Sequence, residues 1–424
     1  MSRFSKLVSI LAFNVSIISA LHADSTSSLA LSKAQAVQRA LDHNKYLLAA
    51  RHTVDQAKAR RDLAGKWADP ELSIDYSNDW LFNDEGESSF GIAFEQRFPI
   101  AKRIGLQKEI ADIEIQLANA EIRNFERRLV RDVELAINDL AHIDAQLELR
   151  QSLVKLNTEF ASFVESRIET AEASELDANQ VKIELYVIEQ EIQRLENERD
   201  ARISDLRTLL NLEPTRELQL AEKLVHLNGS PDLAEANETF LNSHPEYRIK
   251  TLLLDIANKE TQLTLRRRWD DITVGVGFEN ERSVDEPSGI GTDRFLGLSV
   301  SIPLPVRKRY EPATRERVAK QSQLKSVLEA TSLELRNAAA AQKAKALKLY
   351  EQAQLYETNM THLVEQNLEQ MNSAYGAGLV DLNELFRAQE QRLKIQSAHL
   401  TMAHDYQQAL VEWRAVTALN ISQR

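Results

Sequence analysis

Trp67-Ala-Asp-Pro-Glu-Leu-Ser-Ile-Asp-Tyr76 and Trp269-Asp-Asp-Ile-Thr-Val-Gly-Val-Gly-Phe278 are two writings of one pattern, set 202 residues apart. Each places a tryptophan before a stretch with an apolar side chain at every second position, the period of a β-strand with one apolar face. The echo extends in both directions. Upstream, His43 to Tyr46 matches His244 to Tyr247 at an offset of 201. Downstream, Phe98-Pro-Ile-Ala-Lys-Arg103 matches Leu304-Pro-Val-Arg-Lys-Arg309 at 206, and Ala171-Glu-Ala-Ser-Glu-Leu-Asp177 matches Gly378-Leu-Val-Asp-Leu-Asn-Glu384 at 207. Four matches in one order, with offsets that drift by only a few residues, identify an internal duplication.

Each copy reads helix, strand, strand, long helix, tip, helix. Ser32 is a predicted N-cap, and Ala36, Ala40, Leu47, Ala50, Val54 and Ala57 keep a helical stripe behind it. The period then changes. Strands are expected near 71–79 and 89–98 in the first copy, and near 271–280 and 294–303 in the second. Asn83 to Gly86 and Glu286 to Gly289 supply the turns, and Pro99 and Pro305 close the second strand of each pair. Beyond the prolines the helical period resumes. No Pro or Gly interrupts 106–212, so a helix from Ile104 to about Glu169 would run for roughly 100 Å at 1.5 Å per residue. The second copy carries a comparable helix from Pro312 to about Ala374. Such lengths belong to coiled-coil packing. The chain thus divides into a first repeat over 24–210, a linker over 211–232 that holds Pro214, Gly229 and Pro231, and a second repeat over 233–424.

Composition agrees with long helices. Glycine (12) and proline (9) are scarce, and charged residues make up 27%. With no cysteine, disulfides, thiolate metal sites, a thiol nucleophile and N-terminal lipidation on cysteine are all excluded. Arg3 and Lys6 precede the apolar stretch Leu7 to Leu21, with small residues at Ala20 and Ala23. This reads as a signal peptide over 1–23, the competing reading being a retained anchor. Cleavage before Asp24 takes the formal charge from −12 to −14, which leaves no electrostatic footprint for nucleic acid.

Four strands in two hairpins leave two open edges. In lipid every backbone group needs a partner, so several chains must close one barrel if these strands span a membrane. A small soluble sheet covering the helices is the other reading. Trp67 and Trp269, placed alike before the first strand of each copy, are either interfacial anchors or packing at a helix end.

The chain resembles the TolC-like outer membrane efflux proteins from about Leu31 to Leu419. The most specific element is Tyr375-Gly-Ala-Gly378-Leu-Val-Asp-Leu-Asn-Glu384-Leu-Phe-Arg-Ala-Gln389, similar to the family's tip-and-helix signature. Glu172-Ala-Ser-Glu-Leu-Asp177 is its first-copy counterpart, with Ala171 where glycine is usual. The resemblance implies a mainly α fold with a small membrane β-barrel contribution, built from a duplicated helix–β-hairpin–long helix–helix unit. It implies a homotrimer with an α-helical tunnel and a shared 12-stranded barrel in outer membrane lipid, with a large periplasmic part. A periplasmic adaptor (membrane fusion) protein and an inner-membrane efflux pump would complete a tripartite exporter. The Pro-x-x-Lys-Arg strand exits and the Ala-Ser-x-Leu-Asp tip most resemble the heavy-metal cation branch. A coiled-coil adaptor or structural protein without a pore is the alternative.

On that reading Asp177, Glu384, Asp381, Glu175 and Glu172 stand near the tunnel's periplasmic end, where threefold repetition would turn them into acidic rings. Asp177, Asp381 and Glu384 equally suit helix N-termini, where acids meet the macrodipole. A further family carboxylate is replaced by Arg387. Ala171, Ala173, Ser174, Gly376, Gly378 and Leu379 are the tip residues an adaptor would meet. No catalytic motif, metal site or cofactor is expected: the histidines, among them His43, His244, His362 and His399, are scattered, and no nucleophile elbow or phosphate loop occurs.

Overall fold

The computed structural model describes residues 29–81, 85–169, 174–221, 233, 238–267, 269, 271–285, 287, 289–304 and 310–419. The expected signal segment, half of the linker (222–232) and Pro305 lie outside these residues. The elements are β1 (Leu29–Leu31), α1 (Lys33–His43), α2 (Lys45–Leu63), β2 (Glu71–Asn78), β3 (Ser88–Phe98), α3 (Arg103–Glu169), α4 (Glu175–Leu210) and β4 (Leu218–Leu220). They continue with α5 (Glu238–Ser243), α6 (Pro245–Arg266), β5 (Ile272–Asp285), β6 (Gly289–Ser301), α7 (Tyr310–Leu355), α8 (Thr361–Gly376) and α9 (Leu382–Val416). Two compact units result. One gathers Met1–Ala49, Asn124–His244 and Glu334–Arg424; the other gathers Ala50–Arg123 and Pro245–Leu333. Each unit therefore draws on both copies of the duplication.

In the second unit the two hairpins join edge to edge into one antiparallel sheet of order β2–β3–β5–β6. Its register aligns the apolar positions. Leu72 lies opposite Phe94, Phe94 opposite Val276 and Val276 opposite Leu298; Ile74, Ile92, Phe278 and Leu296 form the next row. These two rows are apolar across all four strands, and they are bare: Leu296 is 82% exposed and Leu298 77%. The opposite face carries Asp75, Gly91, Glu279 and Phe295 in one row and Glu95, Gly275 and Ser299 in another. Gly275 sits where a Cβ would come within 2.5 Å of Ser299 Oγ, so only glycine fits between its neighbours. β5 and β6 run 14 and 13 residues, longer toward their turn than the alternation alone implies. Their outer ends, Glu279 to Asp285 and Gly289 to Arg294, hold mainly polar residues and stay paired through backbone bonds. Below the sheet an ion pair between Arg103 and Asp271 fastens the start of α3 to the chain entering β5.

The first unit is helical apart from a short parallel pair, β1 with β4, which draws part of the linker into regular structure. Ser32 caps α1 in a capping box with Gln35. Each copy breaks its first helix at a buried polar residue: Asn44 between α1 and α2, His244 between α5 and α6. Asn44 Nδ2 donates to the Leu209 carbonyl at 3.0 Å, tying that break to the end of α4. α3 is continuous for 67 residues. Its counterpart is not, because a π-turn over Tyr356–Met360 separates α7 from α8. There Thr361 Oγ1 donates to the Tyr356 carbonyl five residues back, at 3.0 Å. The helix expected from Pro312 to about Ala374 runs from Tyr310 to Gly376 with this π-turn inside it, an extra residue that no Pro or Gly announces. No helix among the described residues is long and apolar enough to cross a membrane.

Burial sets the pH response of this unit. It pushes His244 down to about 4, with Arg127 adding repulsion. Burial, then the neighbouring His404 ring 4.7 Å away, lowers His142. His404 moves the other way: Asp139, at 2.8 Å from Nε2, and Asp405 outweigh its burial and raise it. Below pH ~6.5 the unfolded chain protonates positions 142 and 244 while the folded chain resists, so both cost stability as pH falls toward their lowered values. His404 contributes stability that is fully present below ~6.5 and is lost as pH rises through its raised value. Acid sensitivity between pH 7 and 5, read from denaturation midpoints, is expected to shrink by about 2 kcal/mol in His244→Asn. In a second test, Leu385→Ala, at a fully buried site, should cost about 3 kcal/mol in helix melting, and Leu379→Ala, 78% exposed, close to nothing.

Candidate functional site

The two helix reversals of the first unit, between α3 and α4 and between α8 and α9, share one apolar core. Val164, Ala178, Val181, Leu368, Tyr375, Leu382, Leu385 and Ala388 are buried there together. Phe160 lies 5.2 Å from the Tyr375 ring, and the Arg167 guanidinium sits over both Phe163 and Tyr375 at 5.6 and 5.8 Å. Tyr375 thus joins the tips, aromatic on one side and cationic on the other. Burial first, then the charge of Asp177, pushes its hydroxyl above the ordinary tyrosine range, and Arg167 partly offsets this.

Each tip acid has a definite place. Ser174 caps α4, its hydroxyl accepting from Asp177 N–H at 3.2 Å. The Asp177 carboxylate returns the interaction, accepting from Ser174 N–H at 2.9 Å and from its hydroxyl at 2.8 Å. Asp381 caps α9 by accepting from Glu384 N–H at 2.8 Å. Two of the candidate acids are therefore engaged in closing helix ends, where their charge meets the macrodipole. Glu175 and Glu384 are not: both are exposed, and their carboxylates make no hydrogen bond or ion pair among the described residues. Ala171, Glu172 and Ala173 lie outside the described residues.

Gly378 has φ +73°, the left-handed position of a Schellman ending, with Gly378 N–H on the Tyr375 carbonyl and Leu379 N–H on that of Ala374. Gly376 is still helical and has open space about its Cα, so the turn requires the second glycine and tolerates the first. The turn leaves Leu379 exposed, as Leu176 is at the other tip. The Ala-Gln pair of the signature is turned inward, with Ala388 and Gln389 both buried; Arg387 is exposed.

Sequence reasoning did not single out Tyr375 or Arg167 as the joint between the tips, nor a second acidic group higher on the same helices. There the Glu184 carboxyl is pushed up, chiefly by burial and then by Glu390 and Glu191. No spacing signal marks that group, since its members belong to α4 and α9. His43, His244, His362 and His399 do not converge, and no group of three metal-binding side chains occurs among the described residues. In the second unit Trp67 and Trp269 remain 55% and 46% exposed at the base of the sheet, Trp67 edge-on to Phe98 at 5.4 Å.

Residues 36–212 match the family model described as outer membrane efflux protein. Comparison with curated protein sequences gives no match. Among solved structures, CusC, studied for the changes that accompany folding and transmembrane channel formation, is similar over 91% of each chain at 16% identity, with a TM-score of 0.74. The outer-membrane channel OprN is similar over 91% of this chain and 89% of its own, at 16% identity and a TM-score of 0.75. The outer membrane protein VceC of Vibrio cholerae is similar over 91% and 95%, at 15% identity and 0.73. The three stand equally near, so the fold is shared across them and no branch is favoured.

Proposed function

We propose that this chain, which belongs to the TolC-like outer membrane efflux proteins, is one protomer of a homotrimeric exit duct for export across the periplasm and outer membrane. It is a conduit and not an enzyme. The observation that carries this reading is the sheet. Its two apolar rows are bare across all four strands, while its other face, Phe295 apart, is small and polar. Both outer strands, β2 and β6, have a partner on one side only. Such a sheet suits lipid on the apolar face, solvent on the other, and closure by further copies. Three copies give twelve strands, the barrel of the family. A soluble spacer would have no use for the bare apolar face.

The finer features are part of the same proposal. The helical unit stands in the periplasm, and its two tips meet an adaptor protein coupled to an inner-membrane pump. Leu379, Leu176, Ser174 and Gly378 offer that adaptor a small, partly apolar contact. Asp177 and Glu384 line the closed entrance, with Glu384 and Glu175 supplying charge that no capping bond absorbs. Heavy-metal cations as cargo rest on the Pro-x-x-Lys-Arg strand exits and the acidic tips, and the conduit itself leaves selection to the pump. Trp67 and Trp269 mark the periplasmic interface of the outer membrane.

Two measurements test this. Native mass spectrometry from mild detergent should give three times the protomer mass, from protein recovered with the outer membrane; a monomer, or a protein that fractionates as soluble, overturns it. In planar bilayers Glu384→Gln combined with Asp177→Asn should weaken block by divalent cations several-fold. The start of α4 stays capped in that variant, because the side-chain amide oxygen still accepts where the carboxylate did. Unchanged block would leave these acids as helix ends only.

A further inference from the structure

A cavity of about 230 Å³ opens among α2, α3, α6 and α7 in the second unit, away from the tips. Its floor is apolar, formed by Ile110, Ala111 and Leu263, all buried. Its wall is charged, with three arginines and two glutamates. Arg60 Nε lies 3.3 Å from Glu114 and Arg317 Nη1 lies 2.7 Å from Glu260. Arg267 makes no ion pair among the described residues, so the wall carries one guanidinium in excess. The two pairs are partly exposed and add little to stability, so they do not by themselves account for five charges gathered around an apolar floor.

The position of the cavity narrows what could fill it. Ala64 and Arg267, both in its wall, precede Trp67 and Trp269 by three and two residues, and the strands begin a few residues beyond. Leu63 and Leu265, immediately beside wall residues, are 69% and 50% exposed. A ligand here meets free guanidinium, carboxylates and a bare apolar border together. Guanidinium matches a phosphate diester through paired N–H donors, and the carboxylates match an ammonium group on the same ligand.

We infer that this cavity holds the phosphate of a zwitterionic aminophospholipid headgroup, with Arg267 and Arg317 on the phosphate and Glu114 and Glu260 on the ammonium. The acyl chains pass over Leu63 and Leu265 toward the apolar face of the sheet. The inference rests on the membrane placement proposed above. It makes the site a fastening to the inner leaflet, at the level where helices give way to strands. The same chemistry is shared by free phosphate and by phosphoethanolamine, and the test separates these sources.

The intact oligomer in detergent would be titrated with phosphatidylethanolamine, phosphatidylglycerol, O-phosphoethanolamine and inorganic phosphate, and adducts counted by native mass spectrometry. Phosphatidylethanolamine is expected to bind preferentially. Arg267→Gln should weaken it about tenfold, the scale of one charge-assisted contact, and Glu260→Gln should abolish the preference over phosphatidylglycerol. Equal lipid retention by Arg267→Gln would reduce the adducts to a nonspecific annulus and overturn the site. Displacement of the lipid by millimolar inorganic phosphate would make it a free-anion site instead. Bilayer conductance of Arg267→Gln separates the two proposals: an open, normal pore with unchanged lipid retention sinks the headgroup site and leaves the duct standing.

Discussion

The outer edges of the sheet govern everything else. Among the described residues β2 is paired only with β3 and β6 only with β5, so each presents a row of backbone N–H and C=O groups with no strand partner there. Water could satisfy those groups, but lipid cannot. On the proposed membrane placement the apolar face asks for lipid, the edges forbid it to a lone protomer, and other copies resolve the conflict. On that placement oligomerisation is a requirement of the backbone before it is a matter of side-chain affinity. Duplication serves the same end, since each copy supplies one hairpin and joining them through β3 and β5 leaves two edges to close rather than four.

At the tips, charge and geometry divide the acidic residues between two tasks. Asp177 and Asp381 are held by short bonds to helix ends, and their electrostatic worth is spent on backbone N–H groups. Glu175 and Glu384, in the first turns of α4 and α9, keep theirs for the surroundings. Tyr375 lies under both tips with Arg167 above it, so a displacement of one reversal is transmitted to the other through a packed aromatic ring. The Gly378 ending fixes where α8 stops and therefore where Leu379 stands exposed.

Much of this is legible in the sequence. Alternation at Leu72, Ile74, Tyr76 and at Val274, Val276, Phe278 marks the strands because the two faces of the sheet differ in polarity. It fades beyond Phe278, where both faces are polar, and the backbone ladder runs on without it to Asp285. Ser32 and Gly378 act through local backbone rules, so their neighbours alone announce them. The π-turn at Tyr356–Met360 has no breaker residue, and the β1–β4 pair joins segments almost 190 residues apart. The Arg103–Asp271 ion pair and the Arg167–Tyr375 stack likewise depend on tertiary proximity between distant segments. Single-chain periodicity carries none of that information. The acids stand out as a group, but their division into caps and free charges needs the hydrogen bonds.

The pairing of β3 with β5 also has a meaning in time. β3 ends at Phe98 and its partner begins at Ile272, about 170 residues later. At a synthesis rate of about 5–20 residues per second, the first hairpin waits on the order of ten to thirty seconds for the strand that completes its inner edge. Through that interval it shows an apolar face and two open edges to its surroundings, the combination most prone to aggregate. That exposure is greatest while the first half of the chain exists without its second.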